Sequence, residues 1–109
     1  IVIGEDNARP FNRLIKRLGI EENVKILGGS GDIPAFLLAG DFLLHPALDE
    51  NAGMVLIEAM SYGVPCIAFD CPHGPADIIS DGKDGYLIEN GDINKFSESL
   101  INLIDNNNE

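Results

Sequence analysis

An open α/β sheet of parallel strands with helices on both faces is the fold this sequence predicts, and three observations predict it. Short apolar runs alternate with longer segments of helical spacing. The runs ending at Leu27, His45 and Phe69 carry almost no polar alternation, which suits strands covered on both faces. The connections between runs are short and punctuated by glycine or proline, as repeated strand–helix units with right-handed crossovers require.

Each element has its own warrant. Ile1–Ile3 is a strand stub that ends at Gly4. Pro10–Leu18 is a helix, because Phe11, Leu14, Ile15 and Leu18 recur at helical spacing and Gly19 stops it. Val24–Leu27 is a strand closed by Gly28 and Gly29. Asp32 caps a helix through Ala39, with Pro34 in the first turn. Phe42–His45 is a strand, and Asn51–Tyr62 a helix stopped by Gly63. Pro65–Phe69 is a strand, Pro75–Ser80 a short helix, and DGKDG a turn. Tyr86–Ile88 is the last strand, and Asp92 starts a last helix with Phe96, Leu100, Leu103 and Ile104 on one face. The polar tail DNNNE is expected to fray.

Bulk properties narrow the function. At 109 residues the chain is one domain at most, and 45% hydrophobic residues can fill its core. No apolar run nears the roughly 20 residues that span a membrane. The opening IVIGED reads as a strand followed by acids, not as a secretory leader. A chain that opens on a strand and closes on NNNE is expected to be part of a longer protein. The net charge of −11 argues against general affinity for nucleic acid or anionic lipid. Arg9, Arg13, Lys16, Arg17 and Lys25 cluster early and read as a solvated helix face. Cys66 and Cys71 match neither a zinc nor a redox spacing and are expected to be free, reduced and structural.

The stretch LDENAGMVLIEAM holds the chemistry. From Gly53 to Met60 every residue but Glu58 is apolar or glycine, which predicts a buried helix and a buried Glu58. Glu50 stands where that helix should begin. A helix start at Asn51 puts Glu58 roughly 10 Å along the axis. The free N–H groups of Asn51, Ala52, Gly53 and Met54 would then form an anion site at the helix start. A carboxylate facing a vicinal diol accepts two hydrogen bonds, so Glu58 suits a ribose. The simpler alternative stays open: Glu50 as a helix-terminus acid worth about 0.3–1 kcal/mol, and Glu58 bonded to a backbone N–H or a lysine. Two acids beside an anion also repel it, and this stretch offers no cation.

The run HPALDENAGMVLIEAMSYGVPCIAFD resembles the signature of retaining glycosyltransferases of family 4 (group 1), which have the GT-B fold. That signature is Glu, seven residues, Glu, then A-x-x-x-G-x-P, matched here by Glu50, Glu58, Ala59, Gly63 and Pro65. NVKILGGSGDIPAFLLAGDFLLHPA and DGKDGYLIENGD resemble the flanking parts, so the likeness runs through nearly the whole chain. It is most similar to lipopolysaccharide core glucosyltransferases and other bacterial surface-polysaccharide transferases. The resemblance implies the Rossmann-like C-terminal, donor-binding domain of such an enzyme. Its first strand–helix unit, with the family's donor-phosphate Arg and Lys, would precede Ile1, and so would the acceptor-binding N-terminal domain.

The resemblance also implies roles. Glu58 would hold the ribose hydroxyls. Glu50 would bind the transferred hexose and stabilise charge at its ring. The N–H groups of Asn51, Ala52, Gly53 and Met54 would meet sugar and diphosphate, with Gly29 and Ser30 near the base. The donor would be a nucleotide diphosphate sugar, most commonly a UDP-sugar, and the acceptor a cell-surface glycan or lipid-linked glycan. No metal or cofactor is implied, and the leaving diphosphate would take the acceptor's proton. The implied location is cytoplasmic, with any contact to the inner face of the membrane made by the N-terminal domain. The isolated chain is expected to be inactive. Two departures from the pattern are the turn GEDN, which lacks a second glycine, and the loop CPHGP after Phe69. His45 and His73 flank strand ends, as a wall of the site or as ordinary half-buried and exposed residues. Two other readings compete: a GT-B epimerase- or hydrolase-like domain, and a non-catalytic α/β interaction module.

Overall fold

The computed structural model describes residues 2–3, 9–27, 33–49 and 53–107. They form two compact units, Ile1–Ile33 and Pro34–Glu109. The predicted single sheet is thus described as two: one of two strands and one of three, parallel throughout.

In the first unit, β1 (Val2–Ile3) pairs with β2 (Ile26–Leu27), Val2 opposite Ile26. Helix α1 (Arg9–Leu18) lies between them in sequence. Gly19 and Ile20 close it by donating to the carbonyls of Lys16 and Ile15, and Lys16 and Arg17 complement the dipole in its last turn. Phe11, Leu14 and Leu18, which share a helical face by spacing, are exposed.

The second unit carries α2 (Ile33–Ala39), β3 (Leu43–His45), α3 (Met54–Ser61), β4 (Cys66–Phe69), α4 (Pro75–Ile78), β5 (Gly85–Ile88) and α5 (Ile93–Asn107). The sheet order is β3-β4-β5. Central β4 is buried at all four residues, as its unbroken apolar run CIAF requires. Alternation sends Ile67 and Phe69 to one face and Cys66 and Ala68 to the other. On the first face, Ile67, Phe69 and Ile88 pack with Phe96 of α5, and Tyr86, Leu100 and Leu103 complete the cluster. The rings of Phe69 and Phe96 meet edge to face, 5.1 Å apart at 67°. On the second face lies α3: the Cys66 thiol is 3.9 Å from the Leu56 carbonyl oxygen and 3.7 Å from that of Val64. Helices α3 and α4 touch one another, so the two crossovers β3–β4 and β4–β5 return on the same face and α5 covers the opposite one. This is the doubly covered parallel sheet that the sequence predicts.

Local chemistry sets the ends of elements. Asp92 caps α5, its side-chain oxygen accepting from the Lys95 N–H at 3.0 Å. Helix α5 runs on through Asn107, further than the polar tail predicts. In DGKDG, Asp84 accepts from the Ser80 N–H at 2.7 Å and Asp81 from the Leu87 N–H at 3.0 Å. Helix α3 ends in a paired cap: Gly63 donates to Met60 and Val64 to Ala59, each at 3.0 Å. Gly63 takes φ 75° there, a conformation that costs a side-chain-bearing residue about 1–2 kcal/mol.

Cys66 and Cys71 are buried and form no disulfide with one another, as predicted. Burial, reinforced by the nearby charge of Asp84, pushes the Cys66 thiol up to about 11. It is a packing residue, not a nucleophile.

Candidate functional site

In an open parallel sheet, ligands bind beyond the carboxyl ends of the strands. In the second unit those ends are His45, Phe69 and Ile88. The segments that follow are Pro46–Asp49, Asp70–Gly74 and Glu89–Asp92, and α3 starts at the same end. They are joined to one another. The Asp70 N–H donates to the Ile88 carbonyl at 2.7 Å. The Asn90 side-chain amide donates to the Leu48 carbonyl at 3.2 Å. Gly53 is buried at the head of α3, with the Gly74 backbone 3.8 Å from where its side chain would begin.

The structure moves the start of α3. The sequence puts it at Asn51, whereas the described helix begins at Met54, with Gly53 left-handed at φ 67°. The reason is tertiary: a side chain on Gly53 would lie 3.1 Å from Ile78 Cδ1 and 3.3 Å from Leu56 Cδ1, so the chain turns into the helix where it is wedged against α4. Glu58 therefore stands about 6 Å past Met54, not two turns in. The free donors of the described helix start are those of Met54 and Val55, since Leu56 donates to the Gly53 carbonyl at 3.0 Å.

Glu58 is exposed, which corrects its expected burial. An α3 that is apolar almost all round has a sheet on one side only. Leu56 and Ala59 face it and are fully buried, while Met54, Ile57, Glu58 and Ser61 form the outward stripe. Met54 and Ile57 are 60% and 46% exposed, so Glu58 shares the open face of α3 with two apolar side chains. Its backbone carbonyl accepts from Ser61 Oγ at 2.6 Å, and its carboxylate has no hydrogen-bond partner among the described residues.

Of the other predicted site residues, Glu50, Asn51, Ala52, Gly29 and Ser30 lie outside the described residues. Gly53 and Met54 stand at the α3 start, one buried and one exposed. His45 is half-buried at the end of β3. His73 is exposed in the loop after β4 and has φ 64°, the one left-handed non-glycine residue among those described. Two features escaped the sequence reading: the wedge of Gly53 against α4, and the Asn90 tie. The Asn90-Gly91 pair does signal a turn, but nothing in it points to Leu48, 42 residues away.

The electrostatics of this end are acidic. Asp49, Asp70, Glu89 and Asp92 stand in the three segments Pro46–Asp49, Asp70–Gly74 and Glu89–Asp92, which contain no Lys or Arg. A depression of about 390 Å³ opens at the other end of β4 and β5, between Gly63–Pro65 and Lys83–Gly85. Met60 also lines it, and neither Glu58 nor any residue of the loops just described does.

The family model of glycosyl transferases group 1 matches residues 1–109, the entire chain. The chain belongs to the glycosyl transferases group 1 family. Lipopolysaccharide glucosyltransferase WaaG of Escherichia coli (strain K12) is 37% identical over 103 residues, which cover 94% of this chain and 26% of the relative. Amylovoran biosynthesis glycosyltransferase AmsD of Erwinia amylovora is 37% identical over 101 residues, 93% of this chain and 28% of the relative. Among solved structures, Anabaena Alr3699/HepE in complex with UDP superimposes with a TM-score of 0.87 at 28% identity, over 96% of this chain and 30% of that one. The WaaG crystal structure gives 0.82 at 36% identity, over 91% and 27%. The group 1 chain thus spans about a quarter of the length of the curated relatives it matches. Its fold is part of the C-terminal domain of a GT-B glycosyltransferase.

Proposed function

We propose that this group 1 chain is the donor-binding part of a retaining glycosyltransferase that moves a hexose from a UDP-sugar to a cell-surface glycan or glycolipid. The observation that carries the reading is Glu58: an exposed acid one turn after Met54 on the outward face of α3, unpartnered among the described residues, on a helix that starts at the ligand end of a parallel sheet. A solvated acid on an otherwise apolar helix face is ready to accept two hydroxyl hydrogen bonds. The structural likeness to HepE, solved with UDP and with UDP-glucose, supports the nucleotide class.

In this reading Glu58 accepts from both ribose hydroxyls. The N–H groups at the α3 start, Met54 among them, meet the diphosphate; Gly53, left-handed at φ 67°, turns the chain into that start. Asn51 and Ala52 line the same approach, and Gly29 and Ser30 lie by the base. Glu50 binds hydroxyls of the hexose and stabilises positive charge at its ring. The bond from the sugar's anomeric carbon to the diphosphate breaks, and the acceptor oxygen bonds to that carbon on the same face. The departing diphosphate oxygen takes the acceptor's proton, so no metal or cofactor enters. The acidity of the strand-end segments means that cations answering the diphosphate come from outside them.

Amide NMR titration of the chain with UDP, GDP and ADP tests the reading, repeated on Glu58→Gln. The expected result is selective shifts at Gly53 and Met54 with UDP, weakened about 10- to 100-fold in the variant, since a hydrogen bond to a charged group contributes roughly 1.5–3 kcal/mol. Because Glu58 is exposed, the variant should unfold within about 0.5 kcal/mol of the parent. Shifts that Glu58→Gln leaves unchanged would remove Glu58 from the site.

A further inference from the structure

The geometry points to Asn90 as a positioning residue for the donor site, a proposal that rests on the reading of Glu50 as the acid that meets the sugar. Pro46–Asp49 joins β3 to the segment that contains Glu50, and its residues are exposed or half-buried. Asn90 supplies a fixed point. Its amide nitrogen donates to the Leu48 carbonyl at 3.2 Å, two residues before Glu50 in the chain. Only the amide N–H can serve here, because the partner is a carbonyl.

The anchor itself is rigid. Asn90 follows β5, which is paired along its length with central β4. It sits in a four-residue turn closed by the Asp92 N–H donating to the Glu89 carbonyl at 2.9 Å. Asp92 then caps α5, whose Phe96 is locked in the core. A bond from this turn to Leu48 transmits the rigidity of the β5–α5 corner to the β3–α3 connection. Hexose contacts depend on that connection; the Glu58–ribose contact, carried by α3 itself, does not. Asn90 therefore bears on how the sugar is held more than on nucleotide affinity.

The test uses the full-length protein, with UDP and UDP-glucose as probes in calorimetry and UDP release as the turnover assay. Asn90→Ala and the isosteric Asn90→Asp are compared with Glu50→Gln and Glu58→Gln. Expected for Asn90→Ala is a UDP Kd within about twofold of the parent and a fall of roughly tenfold in kcat for the nucleotide sugar, the scale of one lost neutral hydrogen bond acting through position. Asn90→Asp, which sets a carboxylate against the Leu48 carbonyl, should lose at least as much, and Asn90→Gln, which keeps the amide, should recover part. Equal turnover in Asn90→Ala and the parent overturns the proposal. So does a parallel loss of UDP affinity, sugar turnover and Tm, which marks a merely structural bond. If Glu50→Gln also leaves turnover intact, the parent reading fails; if only the Asn90 variants do, this inference alone falls.

Discussion

Helix α3 has a left-handed glycine at each end, and replacing each with alanine separates two energies. Gly53 and Gly63 have φ 67° and 75°, so the backbone cost of a side chain is nearly the same at both. That cost is about 1–2 kcal/mol, reduced by roughly 0.4–1 kcal/mol because alanine also restricts the unfolded chain. A side chain at Gly63 meets nothing within 4 Å, so Gly63→Ala should lose about 1 kcal/mol and no more. At Gly53 the new methyl would lie 3.1 Å from Ile78 Cδ1 and 3.3 Å from Leu56 Cδ1. Leu56 is 0% exposed and has no solvent to retreat into. Overpacking of this kind costs a further 1–2 kcal/mol, about 2–3 kcal/mol in all. Urea unfolding followed by circular dichroism measures both, and both sites lie in the same compact unit. Equal losses at the two positions would refute the wedge of Gly53 against α4, and a neutral Gly63→Ala would refute the strained cap. Gly53→Ala should in addition weaken UDP binding, while Gly63→Ala leaves it unchanged.

Two further outcomes follow from the core. Phe96→Ala removes the ring that covers Phe69, Ile67 and Ile88, and should cost about 3–5 kcal/mol in chemical denaturation; a loss under 1 kcal/mol would mean that α5 is not held by this cluster. The Cys66 thiol titrates at about 11 when folded and at 9.0 in the ordinary range, so its contribution is complete below pH 9 and is lost as pH rises to 11. The fold should therefore weaken by about 2–3 kcal/mol across that window, and Cys66→Ala should flatten this part of the pH–stability profile; an unchanged slope would contradict the buried thiol.

Much of this molecule was legible from residue order because short-range physics decides it. Short apolar runs marked β4 and β5, and period-3.6 spacing marked α1 and α5; Asp92 announced its cap, Gly63 its stop, and the unbroken run CIAF its burial on both faces. The spacing of Glu50 and Glu58 marked the segment on which the proposed function rests. Where α3 begins, and which way Glu58 faces, was not legible. A helix apolar on nearly every side carries no sequence signal for which side the sheet will cover; only the docking of Leu56 and Ala59 onto β4 leaves Glu58 outside. Its first residue is fixed by the fit of Gly53 beside Ile78 and Gly74, and the Asn90–Leu48 bond joins residues 42 apart. Caps, turns and periodicities are written within a few residues of each other and can be read there. Exposure, wedging and long-range ties depend on which distant surfaces meet, and that is decided only when the chain is folded.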